Sequence, residues 1–456
     1  VAKDNPQPAP PPPVADASLT PEHDARVASA LARVPKIADA VAAIRQLPLK
    51  HPVPAAIQGQ DDFRAFLDAE VKKEMPADKA AASVRALVRL GFLKESVDLG
   101  RTVEDAMLSQ AGAYYDPDTK KFYIVLVPED EGMLDVMSAH ELTHALDDQY
   151  TDLGAYTGDP KHQLSNDEQQ ARRLVGEGDA TLVMLAYQAK VAAHQDMFDP
   201  KNRRVEQATV AVFAAIDSEQ LAAAAAANPG LVSQMGPSLK ASIDAMQSIP
   251  PFILDPLFGA YTKGCAAVAA VRDAGGWAAV DALYANPPES TEQLLHPAEK
   301  LIAKREHPVK VAFAPLPKLL AGKSPLDEDV IGELTMAVYF KVWGDRSPSA
   351  EVTGWGGDKY VAYDLGGSVV AAWFTTWDTP KDAARFARAY EASFGARFPG
   401  EPVNKTGGHV VVTHADGTAT SMSLRGQDVA IVDGAPSAKV GDLDGWLTKT
   451  TKTQAR

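Results

Sequence analysis

The chain of 456 residues holds a single cysteine, Cys265. One thiol permits no internal disulfide and no zinc site of the cysteine type. That count suits a cytosolic and a periplasmic protein equally. Long apolar runs are also missing: nowhere do eighteen consecutive apolar residues occur, so no segment reads as a membrane-crossing helix. Positive charge is scarce, with 45 Lys and Arg against 60 Asp and Glu, a formal charge of −15 and an isoelectric point near 5.2. No basic stripe is available to neutralise phosphates, which speaks against nucleic acid as a partner. Histidines number ten. With cysteine set aside, these histidines and the carboxylates are the ligands available to a metal ion.

What is present is an ordinary globular composition, 46% apolar and 23% charged. The length predicts two or three domains. Residues 1–18, with the run NPQPAPPPPVADAS, read as a stiff, solvated proline-rich spacer. Such spacers often follow a removed export signal or a lipid anchor. The expectation is therefore an exported protein (periplasmic, cell-surface or secreted), with a spacer or lipid tether at its N-terminus.

Folded structure is expected from Thr20-Pro21, an N-cap followed by proline at the first helical position. Helical spacing of Ala, Leu and Val then runs through a region covering 19–110. Residues 113–128, AYYDPDTKKFYIVLVP, break the pattern with a β-hairpin signal around Asp116-Pro117-Asp118-Thr119. Helical period returns through AHELTHALDDQY and again from about Asn166 to Gln195. Residues 203–247 are Ala-rich and predict helices broken at Asn228-Pro229-Gly230. A helix over about 258–273 is followed by a restart at Gly275-Gly276-Trp277 and by a Ser290-x-x-Gln293 capping box. The basic stretch KREHPVKVAFAPLPK reads as a linker. Beyond it, 325–456 predicts a separate α+β domain: a helix at 326–343, short alternating strands, and a helix capped by Thr379-Pro380. The fold class expected for the whole chain is α+β.

The chemistry concentrates in His140-Glu141-Leu142-Thr143-His144. On a helix, residues four apart lie on one face, so His140 and His144 can offer two imidazole nitrogens to a single ion. Glu141 is rotated about 100° from His140, beside the ion and free to act as a base on water. Chance predicts on the order of 0.01 such matches in a chain with this many histidines. A catalytic zinc needs a third protein ligand and one open position. By residue type alone the third ligand remains open among Asp159, His162, Glu168, Glu177 and Asp179.

At these residues the chain resembles the zincin metallopeptidases. Asp147 and Tyr150 occupy the positions where the metzincin branch carries Gly and His, so the resemblance is to the gluzincin branch, which takes a glutamate from a second helix. Leu174-Val175-Gly176-Glu177-Gly178-Asp179-Ala180 is similar to that helix, and implies Glu177, 33 positions after His144, as the third ligand of Zn²⁺. Some gluzincins place an Asp four residues further on; here that position is Thr181, so any carboxylate that orients a ligand must be another, with Asp147, Asp148 and Asp179 as candidates. The resemblance also implies a zincin-like catalytic domain over 111–310 with a helical insertion near 203–247. It further implies that KFYIVLV is an edge strand pairing with an extended substrate. A remote His or Tyr would steady the oxyanion, and His296 and Tyr261 are the candidates. AYTKG, GGWAAVDALYANPPESTEQLLHP and GWGGDKY are similar to stretches of a little-characterised bacterial group of HExxH proteins.

The expected activity is zinc-dependent hydrolysis of peptide bonds in a peptide or protein substrate, with Glu141 as general base. Two other readings stand beside it. One is a surface-tethered binding or scaffold module that keeps a zincin core as a metal-stabilised fold. The other is a latent protease whose cleft is covered by helices at 20–110 or 200–250. Gly354-Trp355-Gly356-Gly357 is too short and wrongly placed for a phosphate loop, and His409 and His414 read as sheet residues.

Overall fold

The computed structural model describes residues 21–108, 112–125, 131–158, 164–218, 227, 249–344 and 348–454. The proline-rich spacer, the cap at Thr20, the candidate ligands Asp159 and His162, and most of the Ala-rich stretch therefore lie outside the described residues.

The fold is α+β. Helix α1 (Pro21–Arg45) is followed by the short strand β1 (Ala55–Ile57) and by α2 (Gln60–Glu74), α3 (Ala77–Leu90) and α4 (Leu99–Leu108). The hairpin expected from its turn chemistry is present as β2 (Ala113–Asp116) and β3 (Lys121–Ile124). Asp116 closes it, its side chain accepting from the N–H groups of Asp118 and Thr119. Then come α5 (Glu131–Asp147), α6 (Leu153–Thr157), α7 (Asn166–Ala193), α8 (Arg203–Ala215), α9 (Pro251–Ala285) and α10 (Thr291–Leu295). A complete capping box starts α7, with Ser165 and Glu168 satisfying each other's backbone N–H. Within α9 the backbone breaks at Gly276, whose φ of 69° only glycine adopts without strain, where the sequence predicts a restart.

The first core joins α1, α5, α7, α9 and the hairpin through Val34, Val41, Leu142, Leu146, Leu174 and Val268. Phe122 and Ile124 of β3 reach into it. The small sheet has the order β1-β3-β2, with β1 parallel and β2 antiparallel to β3. This corrects one expectation: Lys121–Ile124, the strand within KFYIVLV, is the central strand, and β2 is the edge that adjoins α5. The partner that covers β3 is an Ala-Ala-Ile triplet, too short to stand out inside a helix-rich region.

The C-terminal sheet contains β5 (Asp327–Asp329), β6 (Trp355–Asp364), β7 (Val369–Trp377), β8 (Val403–Thr406), β9 (His409–Thr413), β10 (Thr418–Arg425) and β11 (Asp428–Pro436), in the order β5-β6-β7-β11-β10-β9-β8. Every neighbouring pair is antiparallel. The helices of this part are α11 (Gly332–Val342), α12 (Pro348–Val352), α13 (Pro380–Arg397) and α14 (Val440–Leu447). The helix expected at 326–343 starts later because 327–329 extends the sheet. One face of the sheet packs Trp373 and Trp377 against Met336, Tyr339, Phe386 and Tyr390. The other face meets Leu443 and Trp446 of α14.

Two expected boundaries shift. The 19–110 region is not one unit: α1 belongs to the first core, whereas Val84, Leu87 and Leu90 of α3, with Phe92, bury against the C-terminal sheet. The basic linker is partly a strand, since Lys310–Ala312 pairs antiparallel with Thr451–Thr453 near the C-terminus. No helix among the described residues is long and apolar enough to cross a membrane.

Candidate metal centre

Helix α5 buries Leu134, Ala139, Leu142, Ala145 and Leu146, while Met133 stays exposed. That burial fixes the rotation of the helix and turns His140 and His144 together toward α7. Glu177 meets them there. His140 Nε2 lies 3.1 Å from Glu177 Oε2, His144 Nε2 lies 3.2 Å from His140 Nε2, and His144 Nε2 lies 3.5 Å from Glu177 Oε2. Tetrahedral bonds of about 2.0–2.1 Å to zinc put neighbouring donor atoms roughly 3.3–3.4 Å apart. The three separations are thus the edges of one face of such a tetrahedron, and the donor set of two imidazoles and one carboxylate suits zinc. These three side chains form the only such metal-ligating group among the described residues.

Electrostatics tie the three together. Burial opposes charge on His144, but the Glu177 carboxylate, then Glu141, outweigh it and push the imidazole up to about 9. Burial likewise opposes ionisation of Glu177, and the two imidazoles, His144 foremost, overcome it and hold the carboxyl well below the usual range.

Tyr261 completes this side of the site. Its ring stacks on His140 with centroids 5.5 Å apart, and its hydroxyl lies within the field of the Glu177 carboxylate. The charge of Glu177, with burial, raises the phenol well above its ordinary value, so it stays protonated. Two glycines allow this approach. A Cβ on Gly178 would lie 2.3 Å from the backbone of Gly264, and one on Gly264 would lie 2.3 Å from the carbonyl oxygen of Leu174. Helices α7 and α9 therefore cross backbone to backbone. Glu177 precedes one glycine of the crossing, and Tyr261 precedes the other by about one turn.

Glu141 is outside the donor set. Its Oε2 accepts the N–H of Tyr115 on β2 at 3.0 Å. Burial pushes its carboxyl up, the two imidazoles oppose, and Glu177 adds to the rise. The edge strand is anchored from the same residue, because the Tyr115 hydroxyl donates to Asp148 at 2.6 Å, and Lys120 pairs with that carboxylate at 2.7 Å.

Beneath the ligands lies a buried ionic cluster. Arg45, the last residue of α1, contacts Asp179 at 3.0 Å, Asp281 at 2.7 Å and Asp147 at 3.8 Å, and stacks on Trp277. The Tyr284 hydroxyl donates toward both Asp147 and Asp179, at 3.0 and 3.2 Å. Burial pushes Asp147 up to about 8 and also raises Asp179. Asp179 is two residues from Glu177 and Asp147 three from His144, so Arg45 fastens both ligand helices to α1. Sequence reasoning missed Arg45, whose partners are remote in the chain.

The remaining candidates divide clearly. Glu168 is occupied by the capping box of α7, and Asp179 by Arg45. His296 ends α10 and pairs with Glu333 of α11 at 2.9 Å. Helix α10 meets α7 where Thr291 donates to Asp167 at 2.6 Å. Asp167 stands ten residues, or about 15 Å of helix, before Glu177. The structure thus brings Tyr261, and not His296, to the cluster. Thr181, at the position of the missing carboxylate, is buried with no hydrogen bond to its hydroxyl.

A family described only as a domain of unknown function (DUF8575) matches residues 319–444, which is the seven-stranded sheet with its helices. No curated protein and no solved structure matches the chain.

Proposed function

We propose that the chain is a zinc-dependent peptidase. One observation carries the reading: two imidazoles and a carboxylate from two helices lie at tetrahedral-edge spacing, with a second carboxylate beside them that is not a ligand. His140, His144 and Glu177 would hold the ion, which supplies a Lewis acid for the peptide carbonyl and a lowered pKa for water.

The chain's own residues then divide the work. Glu141, raised by burial toward the working range of a base, takes a proton from the attacking water and returns it to the leaving amine. The Tyr115 N–H holds that carboxylate in place. Tyr261, kept protonated, donates to the oxygen that gains charge. The substrate has a track as well. Gly112 pairs with Val125, and Tyr114 faces Tyr123, so by the alternation of an antiparallel ladder Ala113 and Tyr115 turn their backbone groups outward; the Tyr115 N–H is taken by Glu141, which leaves both groups of Ala113 and the Tyr115 carbonyl. An extended peptide can add there, which gives binding with little side-chain selectivity.

The test is hydrolysis of an unfolded, casein-like substrate by the full chain and by Glu141→Gln, with metal analysis of both. One zinc per chain in each, and cleavage only by the unaltered chain, is the expected result. Full activity of Glu141→Gln would refute the mechanism. Zinc without any cleavage would leave a metal-stabilised scaffold, and failure to bind zinc at all would end the reading.

A further inference from the structure

The ligand helix α7 carries more polar surface on Glu177's side than a metal ligand requires. At about 100° and 1.5 Å per residue, Arg173 lies about 40° from Glu177 around the helix and about 6 Å along it; Gln170 lies about 20° to the other side and about 10 Å along it. The three share one face. Arg173 is partly buried and makes no ion pair among the described residues. It stands one turn before Glu177 on α7, and its charge reaches the phenol of Tyr261, the ring that lies on His140. Gln170 has a buried side-chain oxygen with no hydrogen-bond partner. The neighbouring Arg172 differs: it is committed to the carbonyl of Tyr156 at 2.7 Å.

The buried amide oxygen is a cost to the fold unless a partner satisfies it, and the partly exposed guanidinium is free to take an anion. The ligand that satisfies both brings an anion that fits a planar fork and a hydrogen-bond donor nearby. A peptide supplies the pair, its carboxylate for the fork and its backbone amide for the oxygen. Resting on the peptidase reading, we propose that Arg173 and Gln170 form a subsite for a carboxylate of the peptide substrate. An extended residue spans about 3.3–3.6 Å, so a guanidinium about 6 Å along the helix from Glu177 meets a carboxylate one or two residues from the cleaved bond. The carboxylate is either the chain terminus or an acidic side chain.

Calorimetric titration of zinc-loaded Glu141→Gln, which holds substrate without consuming it, tests this with three probes. These are N-acetyl-Ala-Phe-Ala as the free acid, its C-terminal amide, and the amide of N-acetyl-Ala-Phe-Glu. At least one acid is expected to bind about tenfold or more tighter than the plain amide. Preference for the free acid identifies a chain terminus, and preference for the glutamyl amide identifies a side chain. Adding Arg173→Gln is expected to bring the acid-to-amide ratio to about one with zinc content retained, whereas Arg173→Lys keeps part of it. Equal binding of acids and amide, no binding of the acids, or a ratio that survives Arg173→Gln overturns the subsite. Cleavage of casein-like substrate without acid preference would fail this proposal alone. Acid preference in a zinc-loaded chain that cleaves nothing would fail the peptidase reading alone.

Discussion

In the metal-free site, His144 and Glu177 hold one proton between them, because the carboxylate raises the imidazole to about 9 while the imidazoles depress the carboxyl. A metal ion must displace that proton. The sign follows directly: below about 9 the metal-free His144 is charged, so zinc affinity rises with pH, roughly tenfold per unit, and levels off near 9. Competition with a calibrated chelator between about pH 6 and 9 measures this. A plateau already reached near the ordinary imidazole value would show that Glu177 is not beside His144. The oxyanion role separates two residues of which the sequence put His296 ahead of Tyr261. Tyr261→Phe keeps the ring on His140 but removes the hydroxyl at Glu177, so kcat is expected to fall about 10²–10³-fold with zinc content retained. His296→Ala removes a partner of Glu333 that makes no hydrogen bond or ion pair with His140, His144 or Glu177 among the described residues, and is expected to leave kcat within a few-fold. Steady-state kinetics of the two variants decide between them, and the reverse pattern would return the role to His296.

Elements bring these side chains together, and the crossing of α7 and α9 is the most exacting contact among them. Alanine at Gly178 or Gly264 drives a methyl group into backbone at 2.3 Å, where no side chain can turn aside. Overpacking of this kind costs about 1–3 kcal/mol. Either variant is expected to lose that much stability in denaturant unfolding and to bind zinc at least tenfold more weakly, because Glu177 and Tyr261 flank the crossing. Alanine variants that bind zinc as the original chain does would show that the crossing does not set the site. This contact also marks the limit of what the sequence made legible. His140, Glu141 and His144 stand within one turn and a half of a single helix, so their spacing alone reveals them. Glu177 required a resemblance, since nothing local says that two helices meet. Tyr261 could not be preferred to His296, because the choice depends on two glycines whose contribution is the absence of a side chain. The hairpin was legible from Asp116 and its turn, and the break at Gly276 from its neighbours. The position of Lys121–Ile124 within its sheet was not, because it depends on a triplet from 55–57 that arrives from elsewhere in the chain.

At the scale of the whole molecule, alternation along the strands marked the C-terminal part as α+β, but it concealed how far that part depends on the rest. The face of the seven-stranded sheet that carries Trp373 and Trp377 is covered by Leu87, Leu90 and Phe92 from the α3 end and by Ile253 and Leu254 at the start of α9. Arg89 reaches Asp433 on β11 at 3.7 Å, and Lys310–Ala312 pairs with Thr451–Thr453. Chain that precedes residue 319, where the family match begins, therefore closes the core of the matched region. A fragment spanning 319–456 leaves buried aromatic and aliphatic surface open to water, and each such side chain is worth about 1.5–3 kcal/mol when fully covered. That fragment is expected to aggregate or to bind a hydrophobic dye with poor near-ultraviolet dichroism, the behaviour of a chain that has lost its tertiary packing. Supplying 77–108 as a separate segment should restore part of the packing, since α3 brings its own apolar face. A fragment from 319 that melts cooperatively and binds no dye would show instead that the sheet is complete in itself and that α3 only rests upon it.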